Sequence, residues 1–167
     1  LKEGLKEYNK DASDEEKYEI ELLIGRIEEL INNTSFSPLY DVDRNLFYIG
    51  YNVEEEKALS NYYDLLASEA RISSYIGISR GEVPVKHWKM LGKPLIAEDN
   101  YIGLASWSGT MFEYLMPSLV LKSFKNTLIN ETYKTVIRVQ KAYGKKNQVP
   151  WGISESGFFA FDNQLNY

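Results

Sequence analysis

Three stretches of helical periodicity set what this chain can fold into. Ser13 and Glu16 form a capping box, in which each side chain satisfies a backbone N–H of the other. The helix it opens is expected to run to about Asn32. Ile20, Leu23, Ile24, Ile27, Leu30 and Ile31 recur along it at helical steps and predict one buried face. A second helix is expected from about Ser60 to Ser79, closed by Gly81. A third is expected from Asn130 to Lys145, stopped by Gly144 and the polar run to Gln148. Between them, Pro38 to Asn52 alternates and turns at Asp43-Arg44-Asn45, the mark of a small β-hairpin ending at Gly50. A short turn around Pro84 to Leu91 and an extended stretch at Tyr101 to Leu104 follow. A further helix starts at Ser108 or Gly109 and kinks or ends near Pro117. Leu1 to Ala12 reads as a frayed start. The fold class expected is mainly all-α.

Composition narrows the function classes. A net charge of −5 argues against a nucleic-acid partner, because phosphate backbones are gripped by clustered Lys and Arg. Lys141, Lys145 and Lys146 are better placed to complement the negative end of a helix. With no cysteine and His87 as the one histidine, neither disulfides nor a Cys/His metal site is expected. No cofactor is expected. No stretch approaches the ~20 apolar residues that span a bilayer, so no membrane span is expected, and the charged start reads as no signal peptide.

Chemistry concentrates in three places. On the expected helix carrying Tyr62, Leu65, Leu66, Ile72 and Ile76, Glu69 falls on the apolar face, between Leu65 and Tyr62. A carboxylate there is costly to desolvate unpaired, so it is either a cleft acid or half of a buried ion pair. Asp64 and Arg71, on the opposite face, read as orienting neighbouring elements. Glu155 is a lone acid among aromatics and small residues in Val149 to Phe159. Rings stack on sugar faces, and an apolar surround raises a carboxyl pKa towards proton donation. The plainer reading is a hydrophobic anchor bearing an exposed Glu. Glu113, in Ser106 to Pro117, either bonds a sugar hydroxyl or caps buried backbone. His87, beside Trp88, reads as a satisfied structural histidine. Gly152-x-Ser154-x-Ser156 lacks the last glycine of a nucleophile elbow.

Several long motifs in series carry a resemblance. They are Asp43-Arg44-x-Leu46-Phe47-x-Ile49-Gly50-Tyr51-Asn52, Tyr62 to Arg71, Gly81-x-Val83-Pro84-x-x-His87-Trp88, Trp107 to Pro117 and Pro150 to Ser156. Together, from about Ser37 to Tyr167, they resemble the glucoamylase-like middle domain of cyclic β-1,2-glucan synthases. The resemblance implies part of an (α/α) toroid of helix hairpins in a large bacterial inner-membrane protein, with this soluble domain on the cytoplasmic side. Residues 1–36 would be a helical scaffold and 37–167 the N-terminal portion of the catalytic domain. The chain stops soon after Glu155, so the expectation is a truncated domain with an open pocket, and the isolated chain inactive.

The activity implied is cyclization of linear β-1,2-glucan by retaining transglycosylation, with an endo-β-1,2-glucanase as the alternative and a non-catalytic glucan-binding segment as another. The partners implied are β-1,2-glucan and the glycosyltransferase and phosphorylase-like parts of the same synthase. Carried over by position, Glu69 resembles the nucleophile and Glu155 the acid/base. Tyr62, Arg71, Trp107, Glu113, Tyr114, Trp151 and Ser154 are the substrate-binding candidates. Retention predicts the two carboxyl groups about 5–6 Å apart.

Overall fold

A computed structural model describes residues 2–9, 12–98, 100–152 and 154. The chain falls into two compact units, Leu1–Pro38 and Leu39–Tyr167. In the first, α1 (Lys2–Tyr8) precedes α2 (Asp14–Asn33), so much of the expected frayed start is helical. Lys2 and Glu28 form an ion pair that ties α1 to α2. The capping box forms as expected, with the Ser13 N–H donating to Glu16 Oε2 at 2.8 Å. The expected buried face of α2 does not. Ile20 is buried, but Leu23, Leu30 and Ile31 are 44%, 70% and 49% exposed. A partner helix of seven residues is too short to cover a stripe along twenty.

The second unit opens with the expected hairpin, β1 (Tyr40–Asp41) and β2 (Leu46–Tyr48), paired Tyr40 to Phe47. Asn45 sits in the left-handed region at φ 58°, which an Asn tolerates in a tight turn. A small hairpin of β3 (Tyr51–Asn52) and β4 (Lys57–Ala58) follows. β5 (Tyr62–Tyr63) then returns to pair with β2, giving the order β1-β2-β5.

The helix expected over Ser60 to Ser79 is therefore a strand, a turn and a shorter helix, α3 (Arg71–Ser79). Pairing elsewhere takes its first half. The Leu66 N–H donates to Gly92 O at 2.9 Å, and the Gly92 N–H to Asp64 O at 2.6 Å. Gly92 eases this approach, because a Cβ there would lie 3.1 Å from Asp64 O, closer than ordinary van der Waals contact. Ser68 Oγ accepts the Ala70 N–H, a local bond that competes with helix.

The expected turn at Pro84 to Leu91 contains α4 (Lys86–Met90), whose His87 is fully buried. Its Nδ1 lies 2.8 Å from Asn45 O and its Nε2 2.8 Å from Ser74 Oγ. The carbonyl can only accept, so Nδ1 carries the proton and Nε2 accepts from the serine. Burial pulls its pKa below 6.5. His87 is the satisfied structural histidine the sequence suggested.

The extended stretch is half of a hairpin, β6 (Leu95–Glu98) with β7 (Tyr101–Leu104). α5 (Met111–Leu115) passes into a 3₁₀ turn over Met116–Leu119 at Pro117. α6 (Leu128–Asn147), capped by Thr127, packs on β7. Thr132 Oγ1 accepts the Leu104 N–H at 3.0 Å, and Thr135 Oγ1 donates to Ile102 O at 2.9 Å. Gly103 allows the contact, since its Cβ would stand 3.2 Å from the Thr135 side chain. Leu66, Ala67, Leu91, Leu104, Met111, Tyr114 and Val136 form the core.

The all-α toroid expectation is thus overturned. Of the described residues 49% are helical and 14% are strand, in three small sheets, a mixed α and β arrangement. The reason is local length. Between α2 and α6 the helices hold only five to nine residues, and the Tyr-rich and alternating segments pair as strands instead.

Candidate functional site

A polar, aromatic pocket of about 440 Å³ opens beside the three-stranded sheet, lined chiefly by Arg44, Asn61, Tyr62, Asp64 and Trp107. Asp41, outside the lining, anchors Tyr62. Its Oδ1 accepts the N–H of Asp43 at 2.9 Å and of Arg44 at 3.0 Å, closing the hairpin turn. Its Oδ2 accepts the Tyr62 hydroxyl at 2.7 Å and the Tyr48 hydroxyl at 3.0 Å. The Arg44 backbone bond, with the phenols and the Asp43 N–H, pulls the Asp41 pKa down to about 2. The same carboxylate pushes the Tyr62 phenol up to about 12. The Arg44 guanidinium stands 5.3 Å from the centre of the Tyr62 ring. Tyr62 is held rigidly, as a neutral phenol.

Trp107 belongs to the lining itself. Its indole stacks on Tyr63 at 5.8 Å between centroids, and its Nε1–H donates to Asp64 Oδ1 at 3.1 Å. Half of the side chain stays exposed, so this pinned ring presents apolar area to solvent. Glu113 holds the loop that carries it. Its carboxylate accepts from Ser106 Oγ, the Trp107 N–H, Ser108 N–H and Oγ, and the Thr110 N–H. It is 5% exposed and forms a capping box with Thr110. Burial raises its pKa, but the bonds from Ser108, Ser106 and Thr110 outweigh this and leave it below 4.5. Of the two readings open for Glu113, this is the capping one. Tyr114 is a second pin, donating to Leu104 O at 2.8 Å and accepting the Ser106 N–H at 2.9 Å.

The other candidates are dispersed. Glu69 lies half-buried in the turn before α3, where its Oε2 accepts from Ser68 Oγ at 3.2 Å, so the helical-face argument for it fails. Arg71, 4% exposed, donates to Leu66 O and to the Tyr133 hydroxyl, each at 2.9 Å, and burial lowers its pKa. It lines a different pocket from Tyr62 and Trp107. Trp151, half exposed, has Lys141 Nζ 4.9 Å from its ring centre, and Ser154 is exposed. Glu155 lies outside the described residues, and with it the expected separation from Glu69. Among the described residues no group of three or more His, Asp or Glu side chains is placed to hold a metal ion. Nor is any helix among them long and apolar enough to cross a membrane.

Sequence reasoning missed Asp41, Tyr48 and Tyr133. The turn residues after Asp41 offered a signal for it, because an Asp two residues before a turn commonly caps it. Tyr133 offered none.

Over 146 residues, 87% of its length, the chain is 40% identical to the cyclic beta-(1,2)-glucan synthase NdvB of Rhizobium meliloti (strain 1021). The chain is related to that synthase. It spans about 5% of the synthase's length, so the likeness concerns one segment of a much larger protein. No family model matches the chain.

Proposed function

We propose that this segment belongs to the glucan-remodelling part of a cyclic β-1,2-glucan synthase, and that it helps close linear β-1,2-glucan into rings. The observation that carries the reading is the Tyr62–Asp64–Trp107 pocket, set in a chain related to such a synthase. A neutral sugar chain needs a ring face to stack on and fixed hydrogen-bonding groups at the edge. Trp107 supplies the face; Asn61 and Arg44 supply donors, and Asp64 supplies an acceptor.

In this reading Glu69 attacks the anomeric carbon as the glycosidic C–O bond breaks, and Glu155 gives its proton to the departing oxygen. A hydroxyl at the far end of the same glucan then loses its proton to Glu155 and displaces Glu69. Two inversions keep the β configuration. The result is a ring when the acceptor is sugar, and a new reducing end when it is water.

The test places Glu69→Gln and Glu155→Gln separately in the full-length synthase supplied with linear β-1,2-glucan. Each is expected to lower ring formation by at least about a thousandfold, as for loss of an essential catalytic group. Wild-type turnover in both variants would remove the catalytic assignment. Reducing ends in place of rings from the unaltered protein would reassign it as a glucanase.

A further inference from the structure

A second pocket, of about 670 Å³, lies between α3, α4 and the start of α6, and its lining is unusual for this chain. The sequence has 24 acidic residues against 19 basic ones, yet among the described residues lining this pocket none is acidic and two, Arg71 and Lys122, are cationic. Arg71 is 4% exposed, and its described partners, Leu66 O and the Tyr133 hydroxyl, are both neutral. A guanidinium buried beside apolar groups without a counter-charge is costly, and its planar fork fits the two oxygens of a carboxylate or phosphate. Two bonds also leave donors of the fork over. Tyr75, Trp88 and Phe124 line the rest, and the first and last of these are more than half exposed.

We propose that this pocket binds an oxyanion carried on an apolar or aromatic body, with the oxyanion on the Arg71 fork beside Tyr133 and the body against Tyr75, Trp88 and Phe124. Lys122, exposed on the pocket lining, adds a second positive charge that draws the ligand in. A neutral β-glucan carries no counter-charge for these groups, and this lining shares no described residue with the Trp107 pocket, so the proposal does not rest on the glucan reading.

Titration of this chain with phenyl phosphate, phenylacetate and the neutral phenylacetamide, followed by tryptophan fluorescence and calorimetry, tests it. At least one of the two acids is expected to bind at least about tenfold tighter than the amide, and less tightly at high salt. Which acid binds tighter identifies the anion. Lys122→Gln should weaken acid binding several-fold and leave the amide unchanged, and Arg71→Lys should bring acid binding down to the amide's level. Because Arg71 is buried and its replacement carries a folding cost, the acid–amide contrast on the unaltered chain and the exposed Lys122 variant decide. Equal binding of acid and amide, saturation by neither acid, or insensitivity to Lys122→Gln overturns the proposal.

Discussion

Glu113 is the most densely bonded side chain near the site, and every one of its described bonds runs to the loop bearing Trp107. Replacing it with Gln keeps the shape but turns one acceptor into a donor facing the N–H and O–H groups of Ser106, Ser108 and Thr110. Glu113→Gln is expected to cost about 2–3 kcal/mol, since buried donors are left without partners. Chemical denaturation measures this, and an unchanged midpoint would mean that the loop does not depend on the carboxylate. Tyr62 has a comparable anchor in Asp41. Both side chains of the pocket are thus set by neighbours that never line it.

The elements show how far local signals reach. The Ser13–Glu16 box and the hairpin at Asp43 to Asn45 form where the residues indicate, because each is decided within a few positions. α6 forms as expected too, but it runs through Gly144 instead of stopping there, and ends at Gln148, held in the left-handed region at φ 56°. Gly144 has another use. A Cβ on it would lie 2.9 Å from Val149 O and 3.1 Å from Trp151 Cα. The glycine lets the chain after α6 fold back against the helix and bring Trp151 over Lys141. Gly144→Ala gains about 1 kcal/mol of helix propensity and loses more to overpacking, for a net loss of about 1–2 kcal/mol with a changed tryptophan spectrum. A higher Tm with an unchanged spectrum would sink this account.

Across the second unit, His87 joins three elements. It sits on α4, bonds the β1–β2 turn at Asn45 and α3 at Ser74, and meets Phe47 edge-on at 4.9 Å. Its folded pKa is depressed, so below 6.5 the unfolded chain binds the proton more readily than the folded one. The unit is therefore expected to be fully stable in this respect above pH 6.5 and to weaken as pH falls below it. Asp41 adds a lower step. Its bonds contribute fully above its ordinary 3.8 and are lost as pH falls through about 2. Urea titrations at a series of pH values should show both steps, and His87→Gln should remove the upper one. Persistence of that step in the variant would place it on another group.

The sequence by itself determined the Ser13–Glu16 cap, the first hairpin turn and the existence of α2 and α6, all of which depend on residues within a turn or two of one another. It also singled out Tyr62, Trp107 and Glu113, and left the capping of buried backbone open as one reading of Glu113. Tertiary structure alone decided that Leu66 pairs with Gly92, which takes Glu69 off a helix, and that distant Tyr-rich and alternating segments pair as strands, which makes an expected all-α chain a mixed one. It decided as well that Tyr62 and Trp107 share a pocket while Arg71 lines another. These outcomes depend on hydrogen bonds and packing between distant stretches, and helical periodicity carries no record of which backbone will pair with which.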